Sequence, residues 1–561
     1  MRSLRFQLAY KNVKRLRDIV SVFVKHGFQP LMERLHIAGL VSFPMRLMRR
    51  KVAREEAALT EPVRARLAME ELGPTFIKLG QILSTRPDIV PHEYIIEFLK
   101  LQDSVAPIPF EDVKNVIESE FKKPIGELFV SIDEKPVAAA SIAQVHTART
   151  LSGEDVIVKV QRPGIGHLIE TDIAILSYLA RLALKYIPES RLYDPSGMVD
   201  EFASVIRREM DFTLEGSYTE RFRENFAKDP RVVIPEVFWD LTGRHVLTLE
   251  RVQGTKIDNV AKLKEQGINT ELVAHLLADI FFKQVFEFGL FHGDLHSGNI
   301  FVLGDDRIGF VDFGIVGRLD VQMKQHLADI LISLASEDFE RLTNVYQSMG
   351  ILPEDIDRTT FEREYYDIML HYFGRPFKYV RIGELMLDYI RIAARHNIRL
   401  PRELLLFDKC IIELEGLGRL LHPEVNLIAE SQPYASKLYV ERMSPKSVFK
   451  GTAKALSDYG ELAHRFPGDA GKIMTKILDD KLSIVFKHRG LDDFIGEMDR
   501  SSNRLTLGII IAALIVGSSM VISTEAAPKV FGYPALGIIG FIIASILGLW
   551  LALQIIRSGK F

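Results

Sequence analysis

Two long charge-free stretches near the C-terminus constrain this chain more than any other feature. Leu505 to Ser523 and Ala535 to Ile556 contain no Asp, Glu, Lys or Arg. Each is long enough for a helix to cross the roughly 30 Å hydrocarbon core of a bilayer. The linker Thr524 to Pro534 is short, so the segments 505–523 and 535–556 are expected to form an antiparallel transmembrane hairpin. Arg504 precedes the first run, Arg557 and Lys560 follow the second, and the linker carries only Glu525 and Lys529. Under the positive-inside rule both ends of the hairpin, and everything N-terminal to it, face the cytoplasm. Small residues along the runs (Gly508, Ala512, Gly517; Gly540, Ala544, Gly548) would permit close helix packing.

The chain as a whole is too long for one core: 561 residues imply two or more domains. A net charge of −3 gives no basis for nucleic-acid binding, and none is expected. The single cysteine, Cys410, excludes internal disulfides, fits a reducing compartment and is expected as a buried small hydrophobe. No Cys/His spacing resembles a zinc site. The first residues lack the continuous apolar core of a cleaved signal peptide.

The chemistry concentrates in Phe291-His292-Gly293-Asp294-Leu295-His296-Ser297-Gly298-Asn299 and Val311-Asp312-Phe313-Gly314. Protein kinases use an Asp that accepts the substrate's proton, an Asn five residues later that holds a metal ion, and an Asp-Phe-Gly aspartate that clamps Mg²⁺ against the nucleotide phosphates. Asp294, Asn299 and Asp312 stand in those relations, separated by apolar runs that read as short strands. Hard oxygen ligands suit Mg²⁺. The competing reading is a solvated Asp/Asn loop, which does not require all three residues in order.

Upstream, residues 1 to about 57 are basic and helical in pattern. Leu16, Ile19, Val20 and Phe23 form an apolar stripe, with Lys11, Lys14, Arg15 and Arg17 elsewhere. A second cluster, Arg49-Arg50-Lys51 with Arg54, follows, and contact with anionic lipid headgroups competes with an ordinary solvated face. Gly73-Pro74 opens a short helix in which Lys78 and Gln81, three apart, share a face. Gly80 in that helix suggests that another backbone or a ligand passes close.

Val137-Ala138-Ala139-Ala140-Ser141-Ile142-Ala143-Gln144-Val145 sits where a kinase's nucleotide-covering loop belongs, with Ala and Ser in place of the usual glycines. In Val156-Ile157-Val158-Lys159-Val160 a lysine lies among β-branched residues and needs a charged partner or a phosphate. Glu215 is the first choice of partner and Glu170 the second. Residues 200 to 226 read as helical, with Glu209 and Asp211 as a further acidic pair. Val246 to Glu250 reads as a strand leading into a hinge that would receive adenine. A helix from Thr270 to Glu287 delivers the chain to Asp294. From about Asp320 to Lys487 the pattern is helical and no residue stands out chemically. Ile473, Ile477 and Ile484, with Lys472, Lys476 and Lys481 nearby, could lie on a membrane surface or simply pack.

Taken together, these motifs resemble the UbiB family of atypical, protein-kinase-like proteins (the AarF/UbiB type) associated with ubiquinone biosynthesis. The specific marks are Lys78-Leu79-Gly80-Gln81, the Ala-rich loop at 138–141, Glu209-Met210-Asp211 and the paired C-terminal helices. The resemblance implies an α+β, protein-kinase-like two-lobed fold with a helical N-terminal extension, an α-rich C-lobe and a transmembrane hairpin. The corresponding divisions are 1–57, 58–120, an N-lobe at 121–255, a C-lobe at 256–490, and the two spans. It implies ATP and Mg²⁺ as cofactors, Asp294 as proton acceptor, and Asn299 and Asp312 as metal ligands. Residues 137–145, Lys159, Glu215 and Glu250 would contact nucleotide, and Lys78, Gln81, Glu209 and Asp211 would regulate access to the cleft. It also implies ATP hydrolysis or phosphorylation of an unidentified lipid or small molecule in the bacterial cytoplasmic (inner) membrane. Membrane lipids and quinone-biosynthesis proteins would be partners. Two alternatives remain: a small-molecule phosphotransferase of the aminoglycoside or choline kinase type, and a non-catalytic scaffold of a membrane biosynthetic complex.

Overall fold

The computed structural model describes residues 2–37, 59–443, 491–523 and 528–557, apart from 85, 87–88, 99, 102–105, 337, 354–355, 374–380, 397, 399 and 532. The basic cluster at 49–54, the helical stretch around 472–484 and Glu525 lie outside the described residues. The chain divides into two compact units, Met1–Lys450 and Gly451–Phe561.

The first unit holds a kinase-like, mixed α/β body. Its upper part is an antiparallel sheet of β1 (Phe129–Ile132), β2 (Ala138–Ala139), β3 (Ala143–Thr150), β4 (Asp155–Gln161) and β5 (Val246–Glu250). The order is β1-β3-β4-β5, with β2 also on β3. Strand β4 shows why the sequence folds this way. Its side chains alternate between faces, and Val156, Val158 and Val160 are completely buried with Val113 and Ile117 of the helix Phe110–Phe121. Lys159 therefore points from the opposite face, toward the cleft.

The lower part is helical, with small sheets that carry the Asp294–Asp312 stretch. Strands β7 (Ile300–Gly304) and β8 (Arg307–Phe310) form a hairpin, and β6 (Leu290–His292) pairs with β9 (Val316–Arg318). The expected helix from Thr270 to Glu287 is regular only over Thr270–Lys283. One wider turn, Gln284–Phe288, follows and ends at Gly289 with φ +64. An added Cβ at Gly289 would lie 2.9 Å from Leu319 O, so the turn requires glycine for both reasons. The turn sets Gln284 so that its Oε1 accepts the His292 N–H. Cys410 is buried in this lobe's core.

The helix Arg2–Lys25 does not offer its apolar stripe to lipid. Ile19 and Val20 are buried, and Leu16 and Phe23 pack among Phe76, Leu72 and Leu179. Arg15 is bonded to the buried Asp172 carboxylate at 2.7 and 2.9 Å. That face is an internal docking surface, because the helix Ile165–Tyr186 presents a matching apolar side.

In the second unit, the helices Leu491–Ile522 and Ala535–Arg557 pack on each other, and Ser501–Ile522 and Ala535–Leu553 within them are candidate membrane spans. The first helix begins well before the apolar run at 505–523, so Arg504 lies inside it. Small residues matter at fewer positions than the sequence suggested. Gly540 sits against Ser518, and Ala544 is buried, whereas Gly508, Gly517 and Gly548 face open space. Leu505, Ile509, Met520, Leu536, Ile546 and Leu549 are each more than half exposed among the described residues, an extended apolar surface on the hairpin.

Candidate functional site

Lys159 is the centre of the upper half of the cleft. Its Nζ donates to both Glu215 oxygens at 2.9 and 2.8 Å and lies 3.4 Å from Asp312 Oδ1. Glu215 sits in the first turn of the helix Phe212–Phe226, whose N-cap is Asp211. Burial pushes the Glu215 carboxyl up to about 7, against the pull of Lys159. Burial works against the Lys159 charge, but Asp312 and Glu215 outweigh it and hold the ammonium well above its ordinary range. The other candidate partner, Glu170, is on the surface and forks with Arg207 at 2.7 Å. Residues 200 to 226 are two helices, Pro195–Glu209 and Phe212–Phe226, because the chain turns at Met210 and Asp211 caps the second by accepting from Thr213 N.

The lower half is built on hydrogen bonds that cross from one motif to the other. His292 Nε2 donates to Val311 O at 3.0 Å, and its Nδ1 accepts from Asp294 N at 3.1 Å; this tautomer is assigned from the two partners. Asn299 Nδ2 donates to Asp294 O, and Val311 N donates to Asn299 O. The loop and the Asp312 turn are thus one rigid piece. Asp312 has φ +61, a left-handed conformation unusual outside glycine, and its side chain is 47% exposed to the cleft. Desolvation by the cleft walls acts to raise its pKa, but Lys159 and Lys78 prevail and hold it well below the usual carboxylate range.

These donors fit a Mg²⁺–nucleotide. Asp312 presents a charged carboxylate to the cleft, and Asn299, anchored through Nδ2, keeps its carbonyl Oδ1 for a hard cation. Ser141 Oγ is buried with no hydrogen-bond partner among the described residues, in the loop expected to cover phosphates.

That loop is tighter than expected. Ala138 and Ala139 pair with Val145 and Gln144 as a short strand, which confines the turn to Ala140–Ile142. Arg162 fastens it by donating to Ala140 O and Ile142 O. Ile142 and Ala143 pack into the core with Phe202 and Phe212. Gln144 is buried and bonds Ile108 N and His146, so its side chain faces away from the cleft. Val137 is exposed, and Glu250 accepts from Glu236 N at the end of β5.

The helix Pro74–Ser84 lines the same cavity as Asp294. Lys78 Nζ lies 2.5 Å from Glu209 Oε1, and Gln81 donates to Leu101 O. Asp211 is not part of this contact: it caps its helix and sits 3.9 Å from Arg244. The close approach at Gly80 comes from side chains, since an added Cβ would meet Leu101 Cδ1 at 2.2 Å and Met69 Sδ at 2.7 Å. The enclosed space is about 560 Å³, and Lys78, Glu209, Glu215, Asp294, Gly314 and Lys409 are on its walls.

No sequence motif marks Lys409. It lies on the helix Arg402–Leu421, with Nζ 2.7 Å from Asp294 Oδ1 and 3.4 Å from Glu413 Oε1. Glu413 Oε2 accepts the Leu295 N–H. Burial acts to raise the Asp294 pKa, but Lys409 and His296 hold it below its ordinary value. One signal was available: Lys409 and Glu413 are an i,i+4 pair on a helix whose neighbours Leu404, Leu405, Phe407, Cys410, Ile411 and Leu414 are buried. Charges placed in such a helix need a partner.

The fold and cleft define a kinase-like protein whose cleft is lined by an added N-terminal helix. The profile described as the ABC1 atypical kinase-like domain matches residues 100–346, the UbiB helical domain matches 365–426, and the ABC1/UbiB kinase-like C-terminal domain matches 489–557. A Pseudomonas putida protein described as a probable protein kinase UbiB is 32% identical, over 93% of this chain and 96% of its own length. A Marinobacter nauticus protein of the same description is 35% identical over 72% and 75%. A Clostridium pasteurianum protein encoded in a hydrogenase 1 5' region is 31% identical over 98% and 99%. Among solved structures, the Mycobacterium tuberculosis Rv3197–erythromycin complex is 24% identical with a TM-score of 0.47, covering 63% of this chain and 90% of that one. The chain belongs to the UbiB family of ABC1-type atypical kinase-like proteins.

Proposed function

We propose that this protein is a membrane-anchored, Mg-ATP-dependent atypical kinase or ATPase that supports ubiquinone or related isoprenoid-lipid biosynthesis. The observation that carries the reading is the convergence of Lys159, Glu215 and Asp312 with Asp294 and Asn299 at one cleft. Asp312 and Asn299 would hold Mg²⁺, Lys159 would bind the phosphates, and Asp294 would take the acceptor's proton. The metal, when bound, supplies charge neutralisation for the phosphates. Of residues 137–145, the turn from Ala138 to Ser141 would close over the nucleotide with a stiff backbone in place of a glycine loop, while Ile142, Ala143 and Gln144 hold it from behind. Lys78 and Gln81, fixed on Glu209 and Leu101, narrow the entrance and favour a small or lipid acceptor over a protein chain.

Membrane anchoring through the C-terminal hairpin, with the body and both termini cytoplasmic, is part of the same proposal. The uncovered apolar surface of both helices supports it. Alkaline carbonate washing should leave the protein in the membrane pellet. The protein purified from that pellet should hydrolyse ATP only with Mg²⁺, and Asp312→Asn should reduce turnover at least about 100-fold with little change in folding. Release into the carbonate supernatant would remove the anchor from the proposal; full turnover in Asp312→Asn would remove the metal role.

A further inference from the structure

Lys409 is held more closely than a structural tie requires. The Asp294 loop is already fixed by three contacts that do not involve it: His292 to Val311, Asn299 to Asp294 O, and Leu295 N to Glu413. Yet the helix Arg402–Leu421 sends an ammonium to 2.7 Å from Asp294 Oδ1, with a weaker reach of 3.4 Å to Gly293 O. A charge is desolvated there against two carboxylates, Asp294 and Glu413, at a cost that apolar packing would avoid. Groups arranged at such cost cluster at functional sites.

We propose that Lys409 is a catalytic residue, whose ammonium contacts the phosphoryl group in flight and takes over the charge that Asp294 gives up. The proposal rests on the phosphoryl-transfer reading above. In that reaction the acceptor oxygen bonds to the γ-phosphorus of ATP. The bond from that phosphorus to the β–γ bridging oxygen breaks, and ADP leaves with the electron pair. The acceptor's proton passes to Asp294 Oδ2. Negative charge therefore leaves the Asp294 carboxylate and appears on the new phosphate ester, or on inorganic phosphate if the acceptor is water. Lys409 starts beside the first position and lines the same cavity, and protonation of Asp294 would release the ammonium toward the second. Lys159 does not serve this end, because its partners Glu215 and Asp312 keep their charges when the acceptor's proton moves, whereas Asp294 gives its charge up. A preorganised cation aimed at developing charge acts on the transition state more than on nucleotide binding.

The test uses the full chain in detergent, as wild type, Lys409→Met and Lys409→Arg. Thermal midpoints are read with Mg-ADP alone and with Mg-ADP plus aluminium fluoride, a mimic of the phosphoryl group in transfer. All three proteins should show the same shift with Mg-ADP. The additional shift from aluminium fluoride should appear in the wild type, vanish in Lys409→Met and largely return in Lys409→Arg. Turnover should fall about 100-fold in Lys409→Met, with KM for Mg-ATP within roughly three-fold. If Lys409→Met unfolds, the charge-relieved double variant Lys409→Met/Glu413→Gln carries the comparison. A fluoride increment equal to wild type in the Met variants overturns the role of Lys409 while leaving phosphoryl transfer standing. A wild type that responds to no Mg-nucleotide overturns both.

Discussion

The two halves of the cleft are each organised by a lysine between two carboxylates, with almost the same spacing. Lys159 lies 2.8 Å from Glu215 and 3.4 Å from Asp312; Lys409 lies 2.7 Å from Asp294 and 3.4 Å from Glu413. They are assembled in opposite ways. The upper set draws a strand, a helix and a turn together, with partners 56 and 153 residues from the lysine. The lower set takes Lys409 and Glu413 from one helix and brings only Asp294 from afar. The difference teaches that a charge constellation depends on desolvation and distance, not on which elements deliver it. In the proposed reaction it would also separate two tasks, the upper lysine binding the nucleotide phosphates and the lower one meeting the group being transferred.

The sharpest way to break this comparison is Lys159→Met. If the upper lysine serves binding, the variant should lose the Mg-ADP thermal shift itself along with turnover, by about 100-fold or more, where Lys409→Met keeps the shift. Glu170→Gln is the control, because its pair with Arg207 is solvated and should change stability by no more than about 1 kcal/mol. Equal nucleotide shifts in Lys159→Met and wild type would dissolve the division of labour.

A smaller effect concerns the helix Pro74–Ser84, which lines the cavity with Lys78. Lys78 and Glu209 are both mostly buried, so a double-mutant cycle between Lys78→Ala and Glu209→Ala should give a coupling of about 1–3 kcal/mol. The matching cycle with Asp211→Ala should give about zero, since Asp211 is occupied as a helix cap. Additivity in both cycles would detach Lys78 from Glu209.

A separate prediction tests the burial on the lower side. Asp408, next to Lys409, is buried, and burial alone pushes its carboxyl up to about 8. Its folded pKa lies above the unfolded one, so between roughly pH 4 and pH 8 the folded state holds the extra proton. Stability contributed by the neutral form is full below that window and is lost as pH rises through it, with a slope of at most about 1.4 kcal/mol per pH unit. Thermal midpoints measured from pH 5 to 8.5 should decline, and Asp408→Asn should flatten the decline. An unchanged slope in that variant would mean that Asp408 ionises freely.

Much of the cleft was legible because its chemistry sits in short local patterns. The alternation Val156, Val158, Val160 against Lys159 fixes which face of β4 carries the lysine, and the ordered Asp294, Asn299 and Asp312 mark a loop and a turn. The paired charge-free runs announce the helical hairpin by length alone. Local pattern reached its limit where a neighbour decides the outcome. Only the folded chain chose Glu215 over Glu170, because burial beside Lys159, and not position on a helix, makes an ion pair. Only the fold turned the stripe of the helix Arg2–Lys25 inward, gave Lys78 to Glu209 while Asp211 became a cap, and tucked Gln144 under its own sheet. Lys409 is the clearest case. In sequence it is one charge in a long helix, and it acquires meaning from Asp294, which lies 115 residues away in the chain and 2.7 Å away in space. Backbone pattern is set by nearest neighbours and periodicity, whereas electrostatic partnership is set by which surfaces the packed core brings together and dries.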